Sequence, residues 1–299
     1  MGCASEGTRN SHNATIAAMA NHRNFGEEGK RMNYSAGVSL RPVPDLTMVV
    51  PTFNERDRLS ELVAAVFAAA DAANLALELV VVDDNSPDGT GELADDLATR
   101  YRMQVVHRAG KLGLGTAVVA GFQVASADVV GVMDADFSHP PSLVPVLFAA
   151  FTSTGADVAV ASRYIPGGST PDWPFSRRML SRTACLLARG LSPIRDAASG
   201  FFIIKRAIAQ GTTIKAGGFK ICLELIVRSG AKRLVELPYQ FDDRELGQSK
   251  MSRREAAGYL VQLWDLYRER LTGSRRPTEG TRDYRQLSTS DVAALRSRP

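Results

Sequence analysis

Two aspartates, Asp134 and Asp136, follow the apolar run Val129–Met133. Where a chain leaves a sheet, carboxylates at i and i+2 can both reach one small pocket. Hard divalent cations take such oxygen ligands, often from one or two carboxylates completed by substrate phosphates. Ser138, two residues on, adds a hydroxyl that would ligate a metal or hold a metal-bound water. The competing reading is that one aspartate only caps a helix beginning near Pro140. A second group, Phe241 to Lys250, carries Arg244 and Lys250 on a glycine-containing segment. The planar fork of Arg and the point charge of Lys suit phosphate oxygens, although a solvated charge run would read the same way. Gly113-Leu114-Gly115 imitates a dinucleotide fingerprint, but its third position is Val118 and the preceding strand lies too far away. Those glycines are read instead as letting a helix pack close to the sheet.

These groups need elements to position them. Leu46–Val50 and Leu77–Val82 read as buried strands, with Met103–His107, Val129–Met133, Asp157–Ala161 and Arg233–Leu237 as further strands. Between them, Arg56–Leu75 has an amphipathic stripe, a helix follows the turn Ser86–Thr90, and Gly113–Ala125 is a small-residue helix. Helices are also expected at Arg177–Arg189, Phe219–Val227 and Met251–Leu271, the last with an aromatic-apolar stripe of Tyr259, Leu260, Leu263, Trp264 and Tyr267. Alternating strands and helices predict an α/β fold with a mainly parallel sheet flanked by helices. Ligands of such sheets bind beyond the carboxyl ends of the strands. Three ends carry polar groups here: Pro51-Thr52-Phe53-Asn54-Glu55, Asp83-Asp84, and Asp134-Ala135-Asp136. The Gly/Pro segment Arg163–Pro174, with Trp173, is a candidate lid.

The 299 residues are 44% hydrophobic and 23% charged, which excludes collagen, a disulfide scaffold and a fully disordered chain. The longest stretch free of Asp, Glu, Lys and Arg, residues 137–156, contains three prolines and does not read as a membrane span. Three scattered cysteines and four scattered histidines offer no metal spacing and fit a reducing cytosol. The net charge of +4 resides in residues 268–299, with eight Arg against four acids, while the rest balances to zero. No nucleic-acid partner is expected. The basic tail is either simply solvated or attracted to an anionic membrane surface. Residues 1–45 read as a disordered leader, 46–271 as the folded domain, and 272–299 as a disordered basic tail.

Six segments carry a resemblance. Val49–Glu55, Val81–Thr90 and Asp134–Pro140 resemble inverting family 2 glycosyltransferases of GT-A fold, a Rossmann-like nucleotide-diphospho-sugar transferase architecture. Ala161–Tyr164 with Gly167-Gly168, Ser199–Phe202, and Phe241 to Lys250 resemble the dolichol/polyprenol-phosphate mannose synthases among them. The resemblance spans roughly residues 46–267. It implies that Pro51, Phe53, Glu55, Val82 and Asp84 hold the donor's base and ribose. It implies that Asp134, Ala135 and Asp136 serve the donor diphosphate, and that Asp134, Asp136 and Ser138 serve a Mg²⁺ or Mn²⁺ ion. Arg163, Arg244 and Lys250 match phosphate-binding positions, with Asp136, Arg244 and Lys250 central to catalysis. Arg177 and Ser199 match the acceptor-phosphate side. Phe53 stands where Tyr is common, and Ser138 where some members carry Gln.

The implied reaction is inverting, metal-dependent transfer of a hexose, mannose from GDP-mannose, to a polyprenyl or dolichyl phosphate. A lipid phosphate is already anionic near pH 7, so no general base is required. The implied location is peripheral, on the cytoplasmic face of a membrane, with a membrane-anchoring subunit as a further partner. Alternatives are glucose or another sugar from a UDP or GDP donor, or a non-catalytic nucleotide-sugar-binding subunit.

Overall fold

The computed structural model of the protein describes residues 43–215, 220–242, 253–272 and 282–297. Two strands build the centre, β1 (Leu46–Thr52) and β2 (Leu77–Asp83), parallel and in register from Leu46 opposite Leu77 to Thr52 opposite Asp83. Their side chains alternate between two cores. Met48, Val50, Leu79 and Val81 pack with α1 (Arg56–Ala72), α2 (Thr90–Ala98) and α4 (Val144–Thr154). Val49, Val80 and Val82 pack with α3 (Leu114–Val124) and α7 (Ile221–Ser229) on the opposite face. Burial on both faces explains why these strands are continuous apolar runs rather than alternating ones.

The remaining strands are β3 (Met103–His107), β4 (Val129–Val132), β5 (Val158–Ser162), β6 (Phe202–Lys205), β7 (Arg233–Pro238) and β8 (Asp283–Gln286). The eight strands lie in the order β3-β2-β1-β4-β6-β5-β7-β8. All pairings are parallel except those of β6, which runs against both β4 and β5. Because β6 runs backwards, Phe202 pairs with Val132, and β6 begins at the rim where the parallel strands end. The helices α5 (Phe175–Leu187), α6 (Arg206–Gln210), α8 (Arg253–Leu271) and α9 (Thr289–Arg296) complete the described elements.

Gly121 makes the close approach of α3 to the sheet. A Cβ there would lie 2.4 Å from Val49 Cγ1. Gly113, expected to serve close packing, instead precedes α3 with φ +100°, a backbone state that side chains oppose. The uncharged stretch contains a 3₁₀ turn, Pro141–Leu143, leading into α4, whose Leu147 and Ala150 are core residues. No helix among the described residues is long and apolar enough to cross a membrane.

The expected disordered tail is corrected. Within 272–299 the chain forms β8, paired in parallel with β7, and α9, which opens on a reciprocal capping box between Ser288 and Asp291. Order persists there because Leu287 and Val292 enter the core and Arg282 donates to the carbonyls of Leu191 (2.9 Å) and Ile226 (3.2 Å). The expected leader lies outside the described residues except for its end, where the Asp45 N–H bonds Ala76 O at 2.8 Å. The expected apolar stripe of α8 divides. Tyr259, Leu263 and Leu266 are buried in a third cluster with Leu191 and Leu223, whereas Leu260 and Trp264 are exposed.

Candidate active site

The rim begins with two loops fastened together. Asp83, buried at the end of β2, accepts from Thr52 Oγ1 (2.9 Å) on β1 and from the N–H and hydroxyl of Ser86 (2.9 and 2.6 Å). The N–H of Asn54 donates to Ser86 Oγ, and that of Glu55 to Thr90 Oγ1, both at 3.0 Å. The ends of β1 and β2 are therefore fastened together, with Phe53, Glu55 and Asp84 on one ledge and Pro51 half-buried beside them, whereas Val82, expected at the donor site, is wholly buried in the core that faces α3 and α7. Asp84 is buried, with Arg108 Nη1 at 2.9 Å. Burial pushes its carboxyl above the usual value against the pull of Arg108. Lys111 Nζ lies 3.5 Å above the Phe53 ring, pairing a cation with a stacking surface.

Beside this ledge, β4 leads to Asp134-Ala135-Asp136. The N–H of Asp134 donates to His139 Nδ1 at 2.9 Å, so the other ring nitrogen carries the proton of the neutral imidazole. His139 is buried and stacked on Phe201, and burial holds its pKa below the ordinary histidine value. Asp136 is buried, and its Oδ1 accepts from the N–H (3.0 Å) and hydroxyl (2.6 Å) of Ser138. Arg58 of α1 donates to the Asp136 carbonyl at 3.2 Å. Between them Phe137 turns at φ 62°, a state that a bulky side chain adopts only when its surroundings enforce it.

The Asp134 side chain is 38% exposed, while Asp136 is held from behind. An accessible and an oriented carboxylate fit a hard divalent cation that takes its other ligands from substrate phosphate and water. No group of three or more His, Cys, Asp or Glu poised for a metal occurs among the described residues. Ser138, expected as a metal ligand, is buried with its hydroxyl donated to Asp136. Its observed work is orienting that carboxylate.

Across the rim, Arg163 is buried in a fork with Asp196, with Nε and Nη2 each 2.7 Å from a carboxylate oxygen. Its own N–H also donates to Asp196, at 2.9 Å. Burial alone would lower the charge affinity of Arg163, but Asp196 outweighs it and raises the pKa. Trp173 lies within this cluster, T-shaped against Phe241, and Arg177 lies 4.0 Å from its ring centre. The expected lid tryptophan is thus buried and anchored by aromatic and cationic neighbours. Arg163, Tyr164, Thr170, Arg178 and Arg182 help line an adjacent cavity of about 190 Å³. Ser199, expected on the acceptor side, is buried. It donates to Ala161 O at 2.7 Å and accepts from Phe201 N–H at 3.2 Å, so its hydroxyl fastens β5 to β6. The next residue does face the site, because a Cβ on Gly200 would lie 3.7 Å from Asp134 Oδ2 and 3.4 Å from His139 Cε1. Arg244 and Lys250 lie outside the described residues.

Sequence reasoning missed Arg58, Arg108, Lys111, His139, Asp196 and Lys220 as parts of this rim. Lys220 precedes α7, and its ammonium feels the carboxylates of Asp196 and Asp134, while burial and Arg163 lower its pKa. Its backbone bonds to Gln262 of α8 were equally hidden, since the partners are far apart in the chain.

Comparison with known proteins agrees with this fold. The family model described as glycosyl transferase family 2 matches residues 47–227. The chain is 38% identical over 225 residues to a dolichol-phosphate mannosyltransferase of Pyrococcus furiosus, covering 74% of this chain and 63% of that protein, less than two thirds of its length. It is 39% identical over 246 residues to a dolichol-phosphate mannosyltransferase of Mycosarcoma maydis, covering 79% and 83%. It is 38% identical over 226 residues to the polyprenol monophosphomannose synthase of Mycolicibacterium smegmatis, covering 72% and 83%. Among solved structures, glucosyl-3-phosphoglycerate synthase from Mycobacterium tuberculosis, crystallised with Mn²⁺ and UDP, superposes with a TM-score of 0.54 at 19% identity over 75% of this chain and 78% of that one. Mannosyl-3-phosphoglycerate synthase from Rubrobacter xylanophilus gives 0.54 at 17% identity, covering 79% and 77%. The parallel sheet, its polar rim and these likenesses together make the chain a glycosyltransferase of GT-A fold, a member of glycosyl transferase family 2.

Proposed function

We propose that the protein transfers mannose from GDP-mannose to a polyprenyl or dolichyl phosphate, with inversion at the anomeric carbon and with Mg²⁺ or Mn²⁺ held by Asp134 and Asp136. The observation that carries the reading is the carboxylate pair, one partly exposed and one fixed, beside the ledge built from the ends of β1 and β2. The names of the relatives support the sugar and the lipid acceptor.

In this mechanism the ledge around Phe53, Glu55 and Asp84 holds the base and ribose. An oxygen of the acceptor phosphate attacks the anomeric carbon as the bond to the nucleoside diphosphate breaks, and the diphosphate leaves with the electron pair. A divalent ion held by Asp134 and Asp136 would supply positive charge against the charge that develops on the leaving group. Arg177 orients the anionic acceptor behind the anomeric carbon, with Arg163, Arg244 and Lys250 adding positive charge to the donor phosphates. No general base is needed, which agrees with a rim histidine that is buried and engaged with the Asp134 backbone.

A peripheral position on the cytoplasmic face of a membrane, with or without an anchoring subunit, completes the reading. It is supported by apolar side chains left exposed on α5 (Phe175, Leu180, Leu186) and α8 (Leu260, Trp264). The two helices run side by side, since Tyr259 and Tyr267 hydroxyls each donate to α5 carbonyls at 2.7 Å.

The test is a panel of labelled GDP and UDP sugars with polyprenyl phosphate, with and without Mn²⁺. GDP-mannose should give product only with metal present, and Asp136→Ala should abolish it, a loss of at least about 10²-fold. Unchanged turnover by Asp136→Ala, or preference for another donor, would refute the reading.

A further inference from the structure

Glu236 of β7 is completely buried. Its Oε2 accepts from the N–H of Arg195 at 2.8 Å, and its Oε1 from the N–H of Asp196 at 2.9 Å. A third donor comes from β8, the hydroxyl of Tyr284 on Oε2, which in turn accepts from Gln286 Nε2 at 2.6 Å, and the Ser162 hydroxyl is a fourth. Asp196, whose backbone Glu236 holds, is the residue that fixes the Arg163 guanidinium. A continuous run of hydrogen bonds therefore passes from the sheet edge at β8, through Glu236 and the backbone of residues 195–196, to Arg163. Arg282, beside Tyr284, fastens the same region by donating to the Leu191 carbonyl.

The physics of Glu236 makes the hydroxyl consequential. Burial penalises its charge and pushes its carboxyl above the usual range, so each donor that remains counts towards keeping both oxygens on the two backbone N–H groups. With the Tyr284 hydroxyl lost, the Arg195 and Asp196 N–H groups and the Ser162 hydroxyl remain as donors, and the carboxylate is held by one bond fewer, which loosens its hold on the Asp196 backbone and on the fork to Arg163.

We propose that Tyr284 is a positioning residue for the phosphate-handling guanidinium of Arg163, acting through Glu236 and Asp196, so that β8 is part of the support of the active site. The proposal rests on the proposed function, in which Arg163 meets a substrate phosphate.

The experiment is steady-state transfer by the full chain with each substrate varied, in Tyr284→Phe, Arg163→Lys and the double variant. Arg163→Lys defines which substrate's KM depends on the guanidinium. Tyr284→Phe should raise that same KM about three- to tenfold and leave the other substrate's KM unchanged. The double variant should be no worse than Arg163→Lys, because both changes act on one group. A Tyr284→Phe protein with unaltered KM values, or one whose defect multiplies with that of Arg163→Lys, overturns the proposal. If Arg163→Lys itself leaves both KM values unchanged, it is the site reading that fails. Should Tyr284→Phe not fold, Gln286→Leu at the exposed edge probes the same run of bonds, with an expected rise of about twofold in the same KM, and no rise overturns the proposal.

Discussion

At the scale of single residues, the site combines fixed polar groups with an accessible one. Asp136 is aimed by Ser138 and Arg163 by Asp196, whereas the bond from the Asp134 N–H to His139 holds its backbone and leaves its carboxylate 38% exposed. Gly200 is the residue whose absence of a side chain keeps the space beside Asp134 open. Its Cβ position has ordinary contact distances, so Gly200→Ala should be tolerated. Gly200→Leu should press its branches onto the Asp134 carboxylate and His139 and cut transfer by about a hundredfold with a small change in melting temperature. Comparing initial rates and thermal unfolding of the two variants checks this, and equal rates would refute it. The carboxylate pair was legible in the sequence because Asp-x-Asp after an apolar run is a local pattern. Its orienting partners were not. Arg58 stands 78 residues from Asp136 and Asp196 33 from Arg163, and no local periodicity links such pairs.

At the scale of elements, the central strands announced themselves by apolar runs bounded by polar ends, and their observed limits lie within a residue of those expected for β1 to β5 at most ends. β8 did not, because Asp283-Tyr284-Arg285-Gln286 is a short polar strand at an edge, where neither face is an uninterrupted core. The signal available for α9 was Ser288-x-x-Asp291 before Val292, and that capping box does form at its N-terminus. Strand joints are also carried by polar residues. Asp157, at the start of β5, accepts from Lys205 Nζ of β6 at 2.7 Å and from the N–H groups of Lys232 and Arg233, at 2.9 and 3.0 Å, where β7 begins. Burial opposes its charge, but these donors outweigh burial and hold its carboxyl below the usual 3.8. A depressed value in the folded state stabilises the protein above the unfolded value and is lost as pH falls through the folded one. Asp157→Asn should therefore cost about 1–3 kcal/mol at pH 7. In urea unfolding the gap from the parent should narrow below pH 3.8. A gap independent of pH would contradict this account.

At the scale of the whole molecule, the basic C-terminal segment and the exposed apolar surface meet on α8, which ends in Arg268 and Arg270. Part of the basic C-terminal segment is structural, since Arg282 is engaged with two backbone carbonyls. Exposed apolar groups gather on α5 and α8, whose stripe was legible in the sequence although its division between core and surface was not, because that depends on which helix lies alongside. The consequence for membrane association is that Leu186→Ser with Trp264→Ser should weaken binding to anionic vesicles about tenfold or more. Donor affinity should be unchanged, and co-sedimentation and donor titration read the two quantities. Unaltered vesicle binding would remove these helices from the contact.

The reversed strand β6 has a further consequence. The chain leaves β5 at Ser162 and returns at Phe202, and the neck of that excursion is closed by Ala161 N–H to Phe201 O (3.0 Å) and Ser199 Oγ to Ala161 O (2.7 Å). Closing such a loop becomes only slowly costlier as it lengthens. Insertions and deletions between the two ends can therefore accumulate over descent while the sheet register and the Asp134–Asp136 rim stay in place.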